Sequence, residues 1–215
     1  MKILNLYACL GGNRYKWNEV KKDIEVTAIE LDPELARLYQ ERFPDDIVII
    51  ADAHQYLLDH FDEFDFVWSS PPCPTHSRLN SMIITNTGKV RYPDMNLYEE
   101  IIVLQKWFKG KFVVENVLPY YDTLIPAKKR DRHLYWTNFN LPNKITTRHF
   151  DGLCIAGGEL KKLQEFHEID LSSYIGNQKK LKIARNLVDY EAGRTIFETM
   201  LGIVRKEDIN QTELF

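Results

Sequence analysis

The sequence has no long hydrophobic run and few cysteines. No apolar stretch approaches the roughly 20 residues that a membrane-spanning helix needs, so we expect no membrane association. The three cysteines, Cys9, Cys73 and Cys154, are odd in number and far apart. They argue against a disulfide framework and indicate a reducing compartment. The apolar N-terminus is too short and its continuation too polar for a signal peptide. We therefore expect a soluble cytoplasmic protein.

The sequence also lacks a metal-binding pattern and an internal repeat. The six histidines and three cysteines show none of the spacings that zinc sites use, so we expect no metal. No repeat or low-complexity linker divides the chain. A length of 215 residues with 44% hydrophobic residues suits one domain core with a small appendage.

Charge is distributed unevenly along the chain, although the net charge is only −3. Residues 19–65 hold 14 acidic and 4 basic residues, whereas residues 78–91 hold three basic residues and no acidic one. Residues 106–132 hold seven basic and three acidic residues. A positive rim beside a reactive side chain suits a polyanionic substrate, although a charge run is more often a solvated surface.

Strand-like and helix-like segments alternate through the first 140 residues. Short apolar runs predict strands at residues 2–8, 26–31, 47–51, 64–69, 111–114 and 133–136. Asp32, Pro33 and Glu34 predict the start of a helix that continues over residues 35–43. Helical periodicity predicts another helix at residues 97–108. This alternation predicts an α/β fold, with a mostly parallel sheet and helices on both faces. Beyond Leu141 the pattern weakens, until helices are predicted at residues 179–188 and 191–203.

The segment SSPPCPTHS, residues 69–77, places Cys73 directly after two prolines at the end of the predicted fourth strand. Prolines stop a strand and stiffen the backbone that carries the thiol. A nucleophile held rigidly at the carboxyl edge of a sheet is typical of an active site. Taken alone, a buried structural cysteine is an equally good interpretation.

Three features on the first three strands suit a cofactor that contains a nucleoside. The glycine pair at residues 11 and 12 lets the backbone approach a ligand closely. Glu30, at the end of the second strand, can accept hydrogen bonds from both ribose hydroxyls, and Asp52 can accept one from an adenine amino group. The first loop lacks the G-x-G-x-x-G spacing and a lysine for phosphates, which favours a cofactor without a pyrophosphate over NAD or ATP.

With these residues in place, the chain resembles the DNA cytosine-5 methyltransferases, which use S-adenosylmethionine. Residues 7–12 (YACLGG) are similar to the family's F-x-G-x-G-G loop, and residues 71–73 (PPC) to its Pro-Cys loop. Residues 114–117 (VENV) are similar to its E-N-V motif, and residues 128–132 (KKRDR) to its Q-x-R-x-R motif. Residues 185–188 (RNLV) resemble the G-N-x-V segment that folds back onto the cofactor.

The resemblance implies a Rossmann-like S-adenosylmethionine-dependent methyltransferase fold with a small recognition appendage. Residues 1–140 would form the catalytic and cofactor-binding core, residues 141–180 a reduced target-recognition region, and residues 181–215 helices that return to the core. The implied cofactor-binding residues are Tyr7, Ala8, Cys9, Leu10, Gly11, Gly12, Glu30, Leu31, Asp52, Ala53, Pro71, Asn186 and Val188.

The resemblance also implies a reaction, the transfer of a methyl group from S-adenosylmethionine to C5 of cytosine in DNA, with S-adenosylhomocysteine as product. Cys73 would attack C6, and Glu115 would act at N3 and at the exocyclic amino group. Arg132 would orient the base, with Arg130 as structural support or a phosphate contact. A duplex target would have to flip its base out of the stack. The implied substrate-binding residues are Ser77, Arg78, Lys89, Arg91, Asn116, Lys128 and Lys129.

The chain departs from the family's pattern in three respects. Cys9 stands where the first loop has its first glycine, and Lys128 stands where the arginine motif has glutamine. Only about fifty residues separate Arg132 from Arg185, where family members normally insert a large target-recognition domain. A recognition region of this length suggests a short target sequence, recognition of the target by the loop at residues 78–91, or help from a partner protein. The compact form resembles methyltransferases of phage or prophage origin.

Two alternatives stay open. An RNA cytosine-5 methyltransferase acting on tRNA would use the same Cys73 and Glu115, so these residues do not identify the nucleic acid. A catalytically inactive S-adenosylmethionine-binding regulatory subunit would not need that pair. An amino-group methyltransferase would carry an aromatic residue after the two prolines, so Cys73 argues against it. The sequence does not determine the oligomeric state.

Overall fold

The protein is built around one sheet, described here in a computed structural model that covers residues 1–89, 91–150 and 158–203. Within these ranges seven strands lie in the order β3-β2-β1-β4-β5-β7-β6. They are β1 (Lys2–Leu6), β2 (Glu25–Glu30), β3 (Ile47–Ile50), β4 (Phe66–Ser69), β5 (Lys111–Val117), β6 (Lys128–Arg130) and β7 (His133–Thr137). Strands β1 to β5 run parallel, and β7 pairs antiparallel with β5 and β6.

Eight α-helices accompany the sheet in the same ranges. They are α1 (Trp17–Val20), α2 (Pro33–Arg42), α3 (Ala53–His60), α4 (Arg78–Thr87), α5 (Asn96–Lys106), α6 (Glu159–His167), α7 (Lys180–Arg185) and α8 (Tyr190–Met200). One face of the sheet is covered by α3 and α5, and the other by α1, α2 and α8. This arrangement confirms the predicted Rossmann-like α/β fold class. None of the helices described combines the length and apolar composition needed to cross a membrane.

The central strand β1 is buried on both faces. Leu4 and Leu6 pack under α3 and α5, whereas Ile3 packs with Trp17 on the opposite face. These four side chains are at most 1% exposed. Because successive residues of a strand point to opposite faces, a strand covered on both sides is mostly apolar. Asn5 is the polar exception, fully buried and hydrogen-bonded through its side chain. The mostly apolar run near the N-terminus therefore indicates the central position of β1.

Helix α2 begins where its sequence predicts. The Asp32 carboxylate accepts hydrogen bonds from the backbone N–H groups of Glu34 (3.0 Å) and Leu35 (3.4 Å). Pro33 occupies the first turn, where its missing N–H has no partner to lose. The cap satisfies N–H groups that the first turn of a helix leaves unpaired.

The prediction of a loop at residues 78–91 is wrong, because residues 78–87 form helix α4. Its ends are set by local caps rather than by burial. The Ser77 side chain accepts a hydrogen bond from the N–H of Leu79 at 3.3 Å. At the other end Gly88 adopts a left-handed conformation (φ 66°), and its N–H donates to the Ile84 carbonyl at 2.8 Å. An exposed helix has no deeply buried stripe, so its hydrophobic periodicity is weak.

The described part of the region predicted for target recognition packs against the core. Leu163 of α6, together with Leu171 and Tyr174, packs with Leu35 and Leu38 of α2. This part of the chain therefore lies along α2, and its recognition role stays a prediction. Cys154 lies outside the described residues, as do residues 204–215 of the predicted C-terminal region.

We expect Gly12→Ala to destabilise the fold. A Cβ at Gly12 would lie 2.3 Å from the carbonyl oxygen of Val188, and a backbone atom cannot move aside as a flexible side chain can. Such overpacking typically lowers the free energy of unfolding by about 1–3 kcal/mol. Urea denaturation measures the change. An unaltered urea midpoint would contradict this prediction, because it would mean that the first loop and the Val188 segment can move apart with no loss of stability.

Candidate active site

The carboxyl ends of the parallel strands bring five sequence-predicted segments to one edge of the sheet. Strands β1 and β4 are neighbours, with β2 beyond β1 and β5 beyond β4. Open parallel sheets bind ligands at such a switch point. The segments at this edge are residues 7–12, Glu30, Asp52, residues 71–73 and Glu115. Among the described residues, no group of His, Cys, Asp and Glu side chains is arranged to hold a metal ion.

The loop after β1 turns through three residues with positive φ, namely Tyr7 (55°), Cys9 (48°) and Gly11 (66°). This conformation costs a residue with a Cβ roughly 1–2 kcal/mol, whereas glycine adopts it freely. Cys9 therefore holds a glycine-like conformation at the position where the family's pattern has glycine. At Gly11 a Cβ would lie 2.4 Å from the ring of Phe43, so the loop also needs glycine for space. Ala8 and Leu10, between these turns, are buried.

Glu30 binds the first loop directly. One carboxylate oxygen accepts from the N–H of Cys9 at 2.8 Å, and the other accepts from the N–H of Asp32 at 2.9 Å. The side chain is nearly buried, and this burial raises the pKa of Glu30 while the backbone donors oppose the rise. Each carboxylate oxygen carries a second acceptor site. Glu30 can therefore still accept hydrogen bonds from two ligand hydroxyls.

Asp52 and Leu31 lie just beyond the ends of β3 and β2. Asp52 Oδ1 accepts from the N–H of Gln55 at 2.9 Å and so caps α3. The second oxygen of the Asp52 carboxylate can accept a hydrogen bond from a ligand amino group. Leu31 is 66% exposed, and Ala53 is buried at the start of α3. An exposed apolar side chain next to convergent polar groups is typical of a pocket for a flat ring.

The predicted C-terminal cofactor segment returns to the first loop. Gly12 and Val188 are in backbone contact, because a Cβ at Gly12 would meet the Val188 carbonyl. Helix α7 packs against Leu10 through Ile183. Asn186 is exposed. The fold therefore joins Gly12 and Val188, which are far apart in sequence and were both predicted to bind the cofactor.

A hydrogen bond joins the Cys73 loop to strand β5. The Asn116 side chain donates from Nδ2 to the carbonyl of buried Pro71 at 3.1 Å, and its Oδ1 accepts from the N–H of Val117 at 2.9 Å. Asn116, predicted to bind substrate, is only 2% exposed and is used as a link within the protein. Since Pro71 lies two residues before Cys73 and Asn116 follows Glu115, this bond brings the two predicted catalytic segments together.

The thiol of Cys73 lies within reach of charges of both signs. Burial raises the pKa of Cys73, the Glu115 carboxylate raises it further, and the Lys182 ammonium lowers it. Glu115 is nearly buried, and its Oε1 lies 3.5 Å from Nε2 of His133. The thiol and the carboxylate are therefore close enough to interact. In the protein without substrate, the Cys73 thiol is mostly protonated at neutral pH.

Cys9 is a much less reactive thiol than Cys73. Burial and the neighbouring Glu30 carboxylate raise the pKa of Cys9 to about 12. Because the thiolate is the nucleophilic form, Cys9 is inert near neutral pH. Cys73 is thus the candidate nucleophile of these two cysteines.

The arginine motif forms a hairpin between β6 and β7. The Arg130 guanidinium donates to the carbonyl oxygens of Pro142 (2.5 Å) and Leu141 (3.3 Å). The Arg130 side chain is therefore bound to backbone carbonyls within the protein, and both of its predicted roles stay predictions. Arg132 lies exposed at the turn, and its carbonyl accepts from the N–H of Leu118 at 3.2 Å. This backbone contact holds the turn beside the strand that carries Glu115.

The two lysines predicted to bind substrate differ in their surroundings. The ammonium of Lys128 donates to the Thr137 hydroxyl at 2.8 Å and to the Phe139 carbonyl. Partial burial and the nearby Arg130 lower the pKa of Lys128. Lys129 is exposed. Of this pair, Lys129 is the better placed to meet a substrate.

Helix α4 and the residues after it place the first basic segment next to Cys73. The fully buried Asn80 donates from Nδ2 to the carbonyls of Thr75 (3.1 Å) and Arg91 (3.0 Å). These bonds hold the two ends of the segment together. The hydroxyl of Ser77, predicted to bind substrate, caps α4. The predicted substrate-binding residues that are exposed here are Arg78, Lys89 and Arg91.

Two residues close to the candidate catalytic pair were missed by the sequence reasoning. Lys182 follows Cys73 by 109 residues and is brought near it only by the packing of α7. His133 opens β7 and pairs in register with Val117 of β5. The basic run that begins at Lys179 is the one sequence signal that could have pointed to Lys182.

Substitution of the two charges should change the reactivity of Cys73 in opposite directions. Glu115→Gln removes a charge that raises the pKa of the thiol, so more thiolate forms and alkylation should be about two- to fivefold faster at a fixed pH. Lys182→Gln removes a charge that lowers the pKa, so alkylation should be slower. Mass spectrometry of the Cys73 peptide after iodoacetamide treatment measures both rates. Glu63→Gln, an exposed acid on the far side of β4, is the control; equal rates in all variants would contradict the electrostatic account.

The chain is similar in structure to several solved proteins, over part of its length. DNMT2 of Spodoptera frugiperda is 25% identical, with a TM-score of 0.40, over 54% of this chain and 35% of that chain. A TehB-like SAM-dependent methyltransferase from Corynebacterium glutamicum is 19% identical over 54% of each chain, with a TM-score of 0.35. A SAM-dependent methyltransferase from Agrobacterium tumefaciens is 13% identical over 56% of this chain and 40% of that chain, with a TM-score of 0.40. The chain thus spans about a third of the DNMT2 structure.

The family assignment rests on sequence. Comparison with curated proteins gave no match. Residues 1–120 match the model of the C-5 cytosine-specific DNA methylases. The match covers more than half of the 215 residues and includes the first loop, Glu30, Asp52, Cys73 and Glu115. The chain belongs to the C-5 cytosine-specific DNA methylase family.

Proposed function

We propose that this chain transfers a methyl group from S-adenosylmethionine to C5 of cytosine in DNA, through a transient bond between Cys73 Sγ and C6. The observation that carries the proposal is the hydrogen bond from Asn116 to the Pro71 carbonyl. It holds the Cys73 loop against the strand of Glu115, so a nucleophile and an acid can act on one pyrimidine ring. Both groups lie at the ligand-binding edge of the sheet.

S-adenosylmethionine is the cofactor of this family, and the residues at the sheet edge fit it. Glu30 has acceptor sites for ribose hydroxyls, and exposed Leu31 offers an apolar surface for adenine. The first loop contains no lysine or arginine, which suits a cofactor without phosphates. When bound, the cofactor supplies an electrophilic methyl group on a positively charged sulfur.

Cys73 makes the first bond of the proposed reaction. Its thiolate attacks C6, and the electrons of the C5–C6 double bond move into the ring, so that C5 becomes nucleophilic. Because the pKa of Cys73 is raised in the free protein, the thiol must first lose its proton, which water or another base accepts, before the thiolate attacks. The Lys182 charge favours the thiolate at this stage.

Glu115 acts on the opposite edge of the ring. Negative charge develops at N3 when the thiolate adds, and a buried carboxyl can donate a hydrogen bond or a proton there. The same group can accept from the exocyclic amino group, which thymine lacks. After methyl transfer a base removes the C5 proton, the C5–C6 double bond forms again, and Cys73 leaves as thiolate.

DNA suits the charges that surround Cys73. Exposed cations are carried by the segments next to Cys73 and by the arginine hairpin, namely Arg78, Lys89, Arg91, Lys129 and Arg132, and Lys182 of α7 is exposed as well. Phosphate contacts of this kind supply most of the affinity for nucleic acid and make it dependent on salt. Arg132, at the hairpin turn, would orient the base. Since Cys73 and the methyl donor must reach a base from its faces, a duplex target would flip the base out.

The packing of the recognition region favours a short target. Leu163, Leu171 and Tyr174 are buried against α2, so fewer side chains from this region are left to contact bases. A good base contact contributes only about 1–3 kcal/mol of discrimination, so a small surface reads about two to four base pairs. A partner protein would be the other way to supply recognition.

Cys73→Ser should abolish methylation and leave the binding of S-adenosylmethionine nearly unchanged, since only the nucleophile is lost. Bisulfite sequencing of DNA from cells that express each variant measures the product and also defines the target sequence. Cys9→Ser is the matched control: it changes the cofactor loop but keeps the nucleophile, so the purified variant should still methylate DNA at saturating S-adenosylmethionine. Wild-type protein should form a covalent complex with DNA that contains 5-fluorocytosine.

Three outcomes would revise this proposal. Full activity in Cys73→Ser would exclude the covalent mechanism. Methylation of tRNA in preference to duplex DNA would assign the chain to RNA. Cofactor binding without methylation of either nucleic acid would favour a regulatory subunit.

Loss of either strand-end acid should weaken cofactor binding. Glu30→Ala removes the proposed ribose acceptor, and Asp52→Ser removes the proposed adenine acceptor while keeping an oxygen that caps α3. Each change should cost about 1–3 kcal/mol of binding free energy, the usual effect of losing one buried or charged acceptor. Calorimetric titration with S-adenosylmethionine measures the loss. Asp59→Ala, an exposed acid on the same helix, is the control, and unchanged affinity in both site variants would place the cofactor elsewhere.

A further inference from the structure

A completely buried carboxylate lies beneath the candidate cofactor site. Glu100 of α5 is 0% exposed. Its Oε1 accepts a hydrogen bond from the Tyr7 hydroxyl at 2.6 Å, and its Oε2 accepts one from the Ser69 hydroxyl at 2.6 Å. Oε1 also lies 3.2 Å from Nδ1 of His54. None of these four residues except Tyr7 was singled out by the sequence reasoning.

Each partner of Glu100 belongs to a different segment of the candidate site. Tyr7 is the first residue of the loop after β1 and holds a positive φ of 55°. Ser69 ends β4, two residues before Pro71. His54 lies in the first turn of α3, two residues after Asp52. One carboxylate therefore connects the first loop, the strand that leads to Cys73, and the helix that follows the proposed adenine acceptor.

The charge of Glu100 is stabilised by donors from all three segments. A carboxylate removed from water is costly unless hydrogen bonds satisfy it. Burial and the Glu100 charge raise the pKa of Tyr7, so its hydroxyl keeps the proton that it donates. The hydrogen bond to Glu100 raises the pKa of His54, whose Nε2 lies 3.2 Å from Glu99. Any movement of one segment would leave a buried charge with fewer donors.

Packing alone does not explain a carboxylate at this position. Leu97, Ile101 and Leu104 already attach α5 to the sheet through apolar contacts. The family's first loop begins with phenylalanine, which lacks the hydroxyl that Tyr7 donates here. An apolar pair at positions 7 and 100 would fill the space without the cost of a buried charge. The hydrogen bond between Tyr7 and Glu100 therefore fixes the relative positions of the two residues, which apolar contacts alone would leave less defined.

We propose that Glu100 is a positioning residue, which holds Tyr7, Ser69 and His54 in the spacing that the S-adenosylmethionine pocket requires. The inference rests on the proposed function, because it assigns the pocket to that cofactor. Glu100 itself is covered by its three partners and would not touch the ligand. Its effect should therefore appear in cofactor affinity more than in the rate of the chemical step.

The test compares Glu100→Gln with Glu99→Gln, a neighbour on the same helix whose carboxylate is largely exposed and contacts only His54 in this group. Glutamine keeps the shape of Glu100 but loses its charge and one acceptor. Glu100→Gln should weaken S-adenosylmethionine binding about tenfold, the usual effect of losing a hydrogen bond to a charged group. The turnover rate at saturating cofactor should stay close to that of wild type. Glu99→Gln should change neither quantity.

A second variant keeps the proposal testable if Glu100→Gln does not fold, which thermal unfolding would reveal. Tyr7→Phe removes a single hydroxyl and should also weaken cofactor binding, whereas Tyr56→Phe on α3 should not. In the double variant Tyr7→Phe/Glu100→Gln the losses should be less than additive, because both changes break one hydrogen bond.

The outcomes separate the inference from the function on which it rests. Wild-type protein that binds no S-adenosylmethionine would overturn the proposed function and this role with it. Wild-type binding that Glu100→Gln and Tyr7→Phe leave unchanged would overturn the positioning role alone. A loss of turnover at saturating cofactor, with unchanged affinity, would also contradict it.

Discussion

The hydrogen bond from the Asn116 side chain to the Pro71 carbonyl is the contact on which the candidate site depends. Two consecutive prolines have no N–H to donate, so the segment after β4 cannot be held by a continued strand ladder. A side-chain amide from β5 takes over that task. Cys73 is therefore carried by a stiff segment that is attached to the same strand as Glu115. The two motifs most specific to the family are thus joined by one buried bond.

Two buried carboxylates hold the first loop, at the proposed cofactor site, in the same manner. Glu30 accepts from the backbone N–H of Cys9, and Glu100 accepts from the hydroxyl of Tyr7, so the first loop is held at two points. Both carboxylates are satisfied mainly by neutral donors rather than by an arginine or lysine. In a low dielectric such bonds are strong, and an unpaired group is costly. The two residues with a strained backbone conformation, Tyr7 and Cys9, are therefore the ones that these carboxylates hold by hydrogen bonds.

The region after the catalytic core is joined to α2. The Asp32 carboxylate, which caps α2, also accepts from the Tyr174 hydroxyl at 2.8 Å and from the Gln178 amide at 3.0 Å. The loop at Gln178 leads into α7, and α7 carries Lys182 toward Cys73. The proposed cofactor side and the proposed base side are therefore connected by a single stretch of chain.

Much of the fold was predictable because its signals are local. Apolar runs identified strands β1 to β5 and β7, and Asp32 with Pro33 identified the start of α2. The elements that were missed are helices α1, α3, α4 and α6 and strand β6, which are short or largely exposed and carry little periodic burial. The roles of some side chains could not be predicted either, because they depend on hydrogen-bond partners from distant parts of the chain. The sequence predicts Lys128 and Asn116 as substrate contacts. In the structure, each side chain donates a hydrogen bond to a group that only the folded chain brings near.

The sequence by itself determined the mostly parallel sheet, the family, and the positions of Glu30, Asp52 and Cys73 at or just beyond strand ends. These follow from short-range patterns of apolar, glycine, proline and acidic residues. The sequence prediction ended β5 too early, because Glu115 lies within that strand. Tertiary structure alone decided that Lys182 and His133 lie near the catalytic pair and that Val188 touches Gly12. It also decided that Glu100 joins three segments. Such contacts link residues far apart in the chain, and their existence depends on how helices pack across the sheet, which no local pattern encodes.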